Sequence, residues 1–441
     1  MHLLLDQAQR LELQMDYNER KRRGAFFTPP QQALAMLQKL SFARKDPRDE
    51  GPLWDPSLGS GVFLLGAVLL LHKEGLRRNI SKGEMARIFQ EKLGGIDIDA
   101  SSLQTARHLL EALFLELGYT TVPLPQLYHG NPWDFHLSPA YLVGNPPYVS
   151  QKANQDLYLV FLAWILGHQV AFSLILPDPF IIRDNAMTVR QMLIQPKKEV
   201  WIEHRRNLFA AGVANVIVTR TDKDASGILF TAKERTYVRS YEELAEDPKT
   251  AFRYLIPPTL YKRFLDLYKG GGPLGRLSDR FYDFRGEEIG KRQAQTSTEG
   301  VLALASSTTL THGGLCQADG YLPAQQLKKA QNKRPESQLV VAKSTPYFTV
   351  SYDPLGHVLV QTLYGLRKKE SGDLSDILQL LAHPFYRYYL YVMETGYKWV
   401  QPQIEQEDLK NLPLLDADTF FHATEKEIFL EEARLLNIAP A

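Results

Sequence analysis

Cysteine is almost missing: the 441 residues include one, Cys316. One thiol forms no internal disulfide and builds no thiolate metal cluster, which excludes a disulfide scaffold and a cysteine-rich zinc module. No metal site is expected, and the cysteine usage fits a reducing, cytoplasmic setting. Excess charge is also lacking. The formal net charge is +1, so no global basicity announces nucleic acid, and a DNA-binding chain of this composition has to gather its Lys and Arg on one face. Long apolar runs are missing too. The stretch from Val62 to Leu71 is interrupted by Gly66 and ended by His72, far short of the roughly 20 residues of a membrane helix. Asp6, Arg10 and Glu12 break any apolar region near the N-terminus, so no secretory pattern is expected there. Internal repeats and low-complexity tracts are not seen.

What remains is ordinary for a soluble chain, with 44% hydrophobic and 23% charged residues. The length allows two domains with cores of their own. The most informative stretch is Asn145-Pro146-Pro147-Tyr148, which follows the apolar run Tyr141-Leu142-Val143-Gly144. That run reads as a buried strand delivering its end into a site. Two prolines make a stiff turn whose carbonyls are free to accept hydrogen bonds. Asn adds a neutral donor and acceptor, and Tyr adds a flat stacking face. Such a set suits a planar heterocycle that carries an exocyclic amine, although the same residue types are common in plain loops.

Two upstream stretches weigh against a plain loop. Leu53-Trp54-Asp55 reads as the end of a first parallel strand, Gly59 and Gly61 permit a tight turn, and Val62 to Leu71 continues as a helix. This is strand, glycine loop and helix, a nucleotide-binding arrangement. Asp55-Pro56 before the loop and no Lys-Ser/Thr after it argue against a phosphate-binding P-loop. Leu93 to Asp99 reads as a second strand, whose acidic end can accept hydrogen bonds from ribose hydroxyls, while Asp99 caps a helix from Ser101 to Leu115. Near the start, residues 1–23 read as a helix ending in the basic run Arg20-Lys21-Arg22-Arg23. Thr28 before Pro29 reads as a helix cap, with the helix from Gln31 to Leu40.

These motifs, in this order, resemble the gamma class of DNA methyltransferases that act on the amino group of adenine, with cofactor motifs first and the recognition domain last. The resemblance covers nearly the whole chain and is stronger in its first half. It implies an α/β fold: a Rossmann-like S-adenosyl-L-methionine-dependent methyltransferase domain over 1–240, followed by a mixed α/β target-recognition domain over 241–441. It implies that Thr28, Asp55, Pro56, Gly59, Asp97, Asn131 and Asn145 bind the cofactor. The family usually has Asp at the place of Asn131; Asn can still accept the adenine amine, and Asp134 is a possible substitute. Asn145, Pro146 and Tyr148 are then catalytic. The Asn145 side-chain carbonyl and the Pro146 backbone carbonyl accept the two hydrogens of the target amine, and Tyr148 stacks on a base flipped out of the duplex. Members often add a second aromatic near a later strand; Val216 to Arg220 has none, and Phe180 is the remaining candidate.

The second half is mixed α/β. Lys328, Lys329, Lys333, Arg334 and Lys343 alternate with apolar strands such as Leu339-Val340-Val341, which suits a phosphate backbone. Leu378 to Leu390 reads as one tyrosine-rich apolar helix. The implied partner is double-stranded DNA, with a separate restriction endonuclease as a possible second partner, no membrane and a monomeric state. No nuclease signature occurs, so a modification-only enzyme is expected. Two alternatives stay open: a methyltransferase of RNA adenine or protein glutamine, and a non-catalytic DNA-binding relative. The basic strands of the second half favour DNA recognition over docking to a protein.

Overall fold

Short apolar runs such as Leu53-Trp54, Tyr141 to Gly144 and Ala171 to Leu176 are buried throughout and build the centre of the main sheet, as expected of parallel strands covered on both faces. The computed structural model describes residues 28–148, 156–205, 208–209, 214–232, 235–253, 255–296, 298–343, 348–370, 372–393 and 403–435. The helix expected over residues 1–23, with its basic end, lies outside the described residues. The chain forms two units, Met1–Tyr254 and Leu255–Ala441.

The strands of the first unit are β1 (Leu53–Asp55), β2 (Leu93–Asp97), β3 (Gln126–His129), β4 (Tyr141–Gly144), β5 (Ala171–Pro177), β6 (Lys198–Arg205), β7 (Asn215–Asp224), β8 (Gly227–Ala232) and β9 (Arg235–Ser240). They form one mixed sheet in the order β3-β2-β1-β4-β5-β7-β6-β8-β9. The first five are parallel neighbours. β7 is inserted antiparallel between β5 and β6, β8 runs parallel to β6, and β9 closes the edge antiparallel. From β1 the chain moves outward through β2 to β3, then returns to place β4 on the other side of β1. That reversal is a topological switch point, and open α/β sheets take their ligands at the carboxyl ends of the strands beside it, here β1 and β4.

The glycine loop leads into helix Val62–Arg77, which buries Val62, Phe63, Leu64 and Leu65 in its first turn. Gly61 caps it with φ of 81°, and an added Cβ would lie 3.0 Å from Ala106 Cβ, so both conformation and space require glycine there. Helix Ala100–Glu116 is capped by Asp99, whose side chain accepts the Ser101 N–H, as expected. The first unit extends beyond residue 240 because the chain there still completes it. Ser240 forms a capping box with Glu243 on helix Tyr241–Glu246, and the Tyr241 hydroxyl donates to the Lys198 carbonyl of β6. No helix among the described residues is long and apolar enough to cross a membrane.

In the second unit, β10 (Phe281–Arg285), β13 (Gln338–Ala342), β14 (Val350–Asp353) and β16 (Leu363–Lys368) form an antiparallel sheet in the order β10-β16-β13-β14. β11 (Val301–Leu304), β12 (Gly320–Leu322) and β15 (Val358–Leu359) form a smaller sheet in the order β12-β11-β15. The single helix expected from Leu378 to Leu390 is two, Ser375–Ala382 and Pro384–Met393. Pro384 lacks the N–H to continue the first, and His383 before it is extended, with ψ of 138°. Of the basic residues, Lys328, Lys333 and Arg334 are exposed. Lys329 is tied internally instead, its Nζ donating to the Arg285 and Gly286 carbonyls at 2.9 and 2.8 Å.

Candidate active site at the carboxyl ends of β1, β2 and β4

Asp55 ends β1 and is wholly buried. Its Oδ1 accepts the Ser57 N–H at 3.0 Å, while Oδ2 has no hydrogen-bond partner among the described residues. Burial pushes this carboxyl up to about 8; the neighbouring Asp97 charge adds to the shift, and the Ser57 N–H opposes it. Pro56 is buried beside it. The turn that follows is pinned to β2: the Leu58 N–H reaches the Ile96 carbonyl at 2.9 Å, and the Gly59 N–H reaches Asp97 Oδ2 at 2.8 Å. The Asp97 Oδ1 accepts the Asp99 N–H at 2.9 Å. Burial raises the Asp97 carboxyl, and those two backbone donors hold the shift back. Asp97 therefore orders the glycine turn and sits at the strand end, while Asp99 does the capping.

β3 brings a further residue to this edge. The Gly130 N–H bonds the Asp97 carbonyl at 3.0 Å, and Asn131 follows directly. Asn131 Nδ2 donates to Asp134 Oδ2 at 3.2 Å, so the two candidates for one contact share a turn. Gly144, the last residue of β4, lies against the Asp55 turn. A Cβ there would stand 2.9 Å from Ser57 Oγ and 3.1 Å from Asp55 Oδ1. The strand end and the acidic turn thus approach as closely as a missing side chain permits.

Asn145 follows Gly144 and is half-buried, and its Nδ2 donates to Thr28 Oγ1 at 3.3 Å. Thr28 does not cap the helix. The helix starts at Pro30 with Pro29 as its N-cap and without any side-chain cap bond. The Thr28 hydroxyl is turned instead to the Asn-Pro-Pro-Tyr motif, where Thr28 is 3% exposed. Pro146 is buried. Tyr148 is 6% exposed, its hydroxyl donates to Asn215 Oδ1 at the start of β7, and its ring meets Tyr158 edge-on at 6.4 Å. Phe180 offers no stacking face: it is fully buried, edge-on to Phe252.

No family model matches the chain. Two type II methyltransferases are similar to part of it. M.BstVI of Geobacillus stearothermophilus is 30% identical over 146 residues, covering 30% of this chain and 26% of that protein. M.XhoI of Xanthomonas vasicola is 28% identical over 139 residues, covering 30% and 25%. The chain is distantly similar to type II DNA methyltransferases. The match spans about a quarter of the length of these relatives. In fold, the chain resembles a type IIL restriction-modification enzyme, MmeI, solved in complex with DNA. That similarity has a TM-score of 0.54 at 11% identity and covers 90% of this chain and 69% of that one.

The fit of S-adenosylmethionine can be judged from the side chains themselves. A buried carboxylate oxygen without a partner, beside a strand end stripped to glycine, suits a cationic group better than a phosphate. Asp178, at the end of β5, went unnoticed in the sequence. It is 6% exposed, its Oδ2 has no partner among the described residues, and burial pushes it up to about 8. Its signal was there: an acid directly after the apolar strand Leu174-Ile175-Leu176-Pro177, the same pattern that marks Asp55.

Proposed function

We propose that this protein is an S-adenosylmethionine-dependent DNA methyltransferase that methylates the N6 amine of adenine in a specific duplex site. In this reading the first unit is catalytic, the second reads the DNA, and the enzyme acts as the modification partner of a restriction endonuclease. The observation that carries it is the meeting of Asp55, Asp97 and the Thr28–Asn145 pair at the carboxyl ends of adjacent parallel strands. The distant similarity to type II DNA methyltransferases supports the reaction class.

Asp55 would hold the cationic part of the cofactor and Asp97 its ribose, with Asn131 at its adenine. Bound there, S-adenosylmethionine supplies a methyl group already activated on sulfonium. The chain then has to make a reluctant amine reactive, because the adenine nitrogen lone pair is delocalised into the ring. The Asn145 side-chain carbonyl and the Pro146 carbonyl accept the two amine hydrogens and draw them out of the ring plane, localising the lone pair on nitrogen. Their bonds strengthen as the amine gains positive charge, so they favour the transition state over the ground state. The Thr28 hydroxyl orients Asn145 by accepting from its amide nitrogen, which aims the carbonyl the other way. Tyr148 is the stacking partner of the flipped base. Stacking there must replace the cover its ring now has, and is worth about 1–3 kcal/mol.

Asn145→Ala should lower methyl transfer at least about a hundredfold while S-adenosylmethionine binding, read by calorimetry, stays within a few-fold. Sequencing of DNA from cells expressing the protein should show methylated adenines in one motif. Methyl groups on RNA or protein glutamine instead, or none despite cofactor binding, would refute the DNA assignment.

A further inference from the structure

Asp178 has no task in the mechanism above, yet it stands beside the motif that does the chemistry. β4 and β5 are parallel, with Gly144 opposite Leu174. The Asn-Pro-Pro-Tyr motif leaves β4 and Asp178 leaves β5 at the same end of the sheet. The two sense each other, since the Asp178 charge adds to the burial that raises the Tyr148 hydroxyl. The Asp178 N–H bonds the Ala214 carbonyl at 3.1 Å, and the Tyr148 hydroxyl bonds the next residue, Asn215. Asp178 and the Tyr148 ring therefore share one end of the sheet. Tyr158, on helix Leu157–Gly167, adds a buried hydroxyl that also has no partner among the described residues. Among the described residues the charged group facing Asp178 is Arg183; Tyr158 feels Asp156, Arg183, Arg190 and Asp178 itself. A buried carboxyl with an unmatched oxygen lowers stability, and nothing in the packing is gained by keeping it. Groups of this kind concentrate where a ligand is met.

The edge of adenine specifies what is needed. Both amine hydrogens go to Asn145 and Pro146. The ring nitrogens flanking the amine are acceptors without hydrogens, and they call for a donor. An ionised carboxylate would repel them, whereas a neutral carboxylic acid donates. We infer that Asp178, as the neutral acid, donates a hydrogen bond to a ring nitrogen flanking the amine of the target adenine. The inference rests on the adenine-methylation reading. The Asp178 O–H bond stays intact during methyl transfer; the sulfonium becomes a neutral thioether, and the methylated amine, positively charged at that point, releases its proton to water. Burial keeps the acid protonated, pushed up to about 8 against the opposing pull of Arg183.

The test is the rate of tritium transfer from methyl-labelled S-adenosylmethionine, at saturating cofactor, to unmodified genomic DNA from pH 6 to pH 10. The wild-type rate should be level up to about pH 8 and then fall about tenfold per unit. Asp178→Asn donates through an amide that does not titrate, so its profile should lack that fall. Asp178→Ala should be about tenfold slower below pH 8. Equal cofactor binding by all three proteins shows that each is folded. Parallel falls in the wild type and Asp178→Asn, or an Asp178→Ala rate equal to wild type, overturn the role of Asp178 and leave adenine methylation standing. Wild-type protein that binds cofactor but labels no DNA at any pH overturns both.

Discussion

Asp55→Asn asks whether the buried carboxyl at the end of β1 is kept for a ligand at the expense of the fold. The group is raised from 3.8 to about 8 in the folded chain. Below pH 4 both folded and unfolded chains hold the proton, and the group costs nothing. Between pH 4 and 8 the unfolded chain releases a proton that the folded chain retains, so stability falls by about 1.4 kcal/mol per unit. Above pH 8 the cost is constant. At pH 7 the accumulated cost is about 4 kcal/mol, an upper value because buried sites relax. Asn keeps the acceptor for the Ser57 N–H and removes the ionisation, but leaves an amide N–H unmatched, at about 1–3 kcal/mol. Without cofactor, the variant should be equal or slightly less stable at pH 5 and about 1–3 kcal/mol more stable at pH 7. Urea unfolding followed by tryptophan fluorescence reads this directly, since Trp54, Trp133, Trp164 and Trp201 all lie in the first unit. Stability curves of variant and wild type that run parallel from pH 5 to pH 8 would refute the reasoning.

Two further outcomes follow from the same geometry. A cationic cofactor pairs with ionised Asp55, so binding must expel its proton. S-adenosylmethionine affinity should rise about tenfold per unit from pH 6 to pH 8, with proton release visible as buffer-dependent heats in calorimetry; a flat affinity contradicts this. Gly144→Ala puts a Cβ 2.9 Å from Ser57 Oγ and 3.1 Å from Asp55 Oδ1. Circular dichroism should be unchanged while cofactor affinity drops about tenfold or more, and an unchanged affinity would detach this strand end from the site.

The strand-end acids were legible because each closes an apolar run: Asp55 after Leu53-Trp54, Asp97 after Leu93 to Ile96. Local pattern suffices where a strand delivers one polar group. The Thr28–Asn145 bond was not legible in the same way. Its partners are 117 residues apart, and Thr28-Pro29 satisfies a local rule, helix capping, that the structure declines. Likewise no local signal tells β7 to insert antiparallel between β5 and β6, because strand order is settled by long-range pairing. The failures have a direction. Thr28, Asp55 and Asp178 each break a rule that would otherwise stabilise the fold: a cap left unmade and two carboxyls buried with an unmatched oxygen. Packing alone would have replaced the two acids with apolar residues of similar size. Asp55 and Asp178 follow the carboxyl ends of their strands and Thr28 meets Asn145 just past β4, and rules broken together at one end of a sheet are what physical consistency predicts of a site held against the preference of the fold.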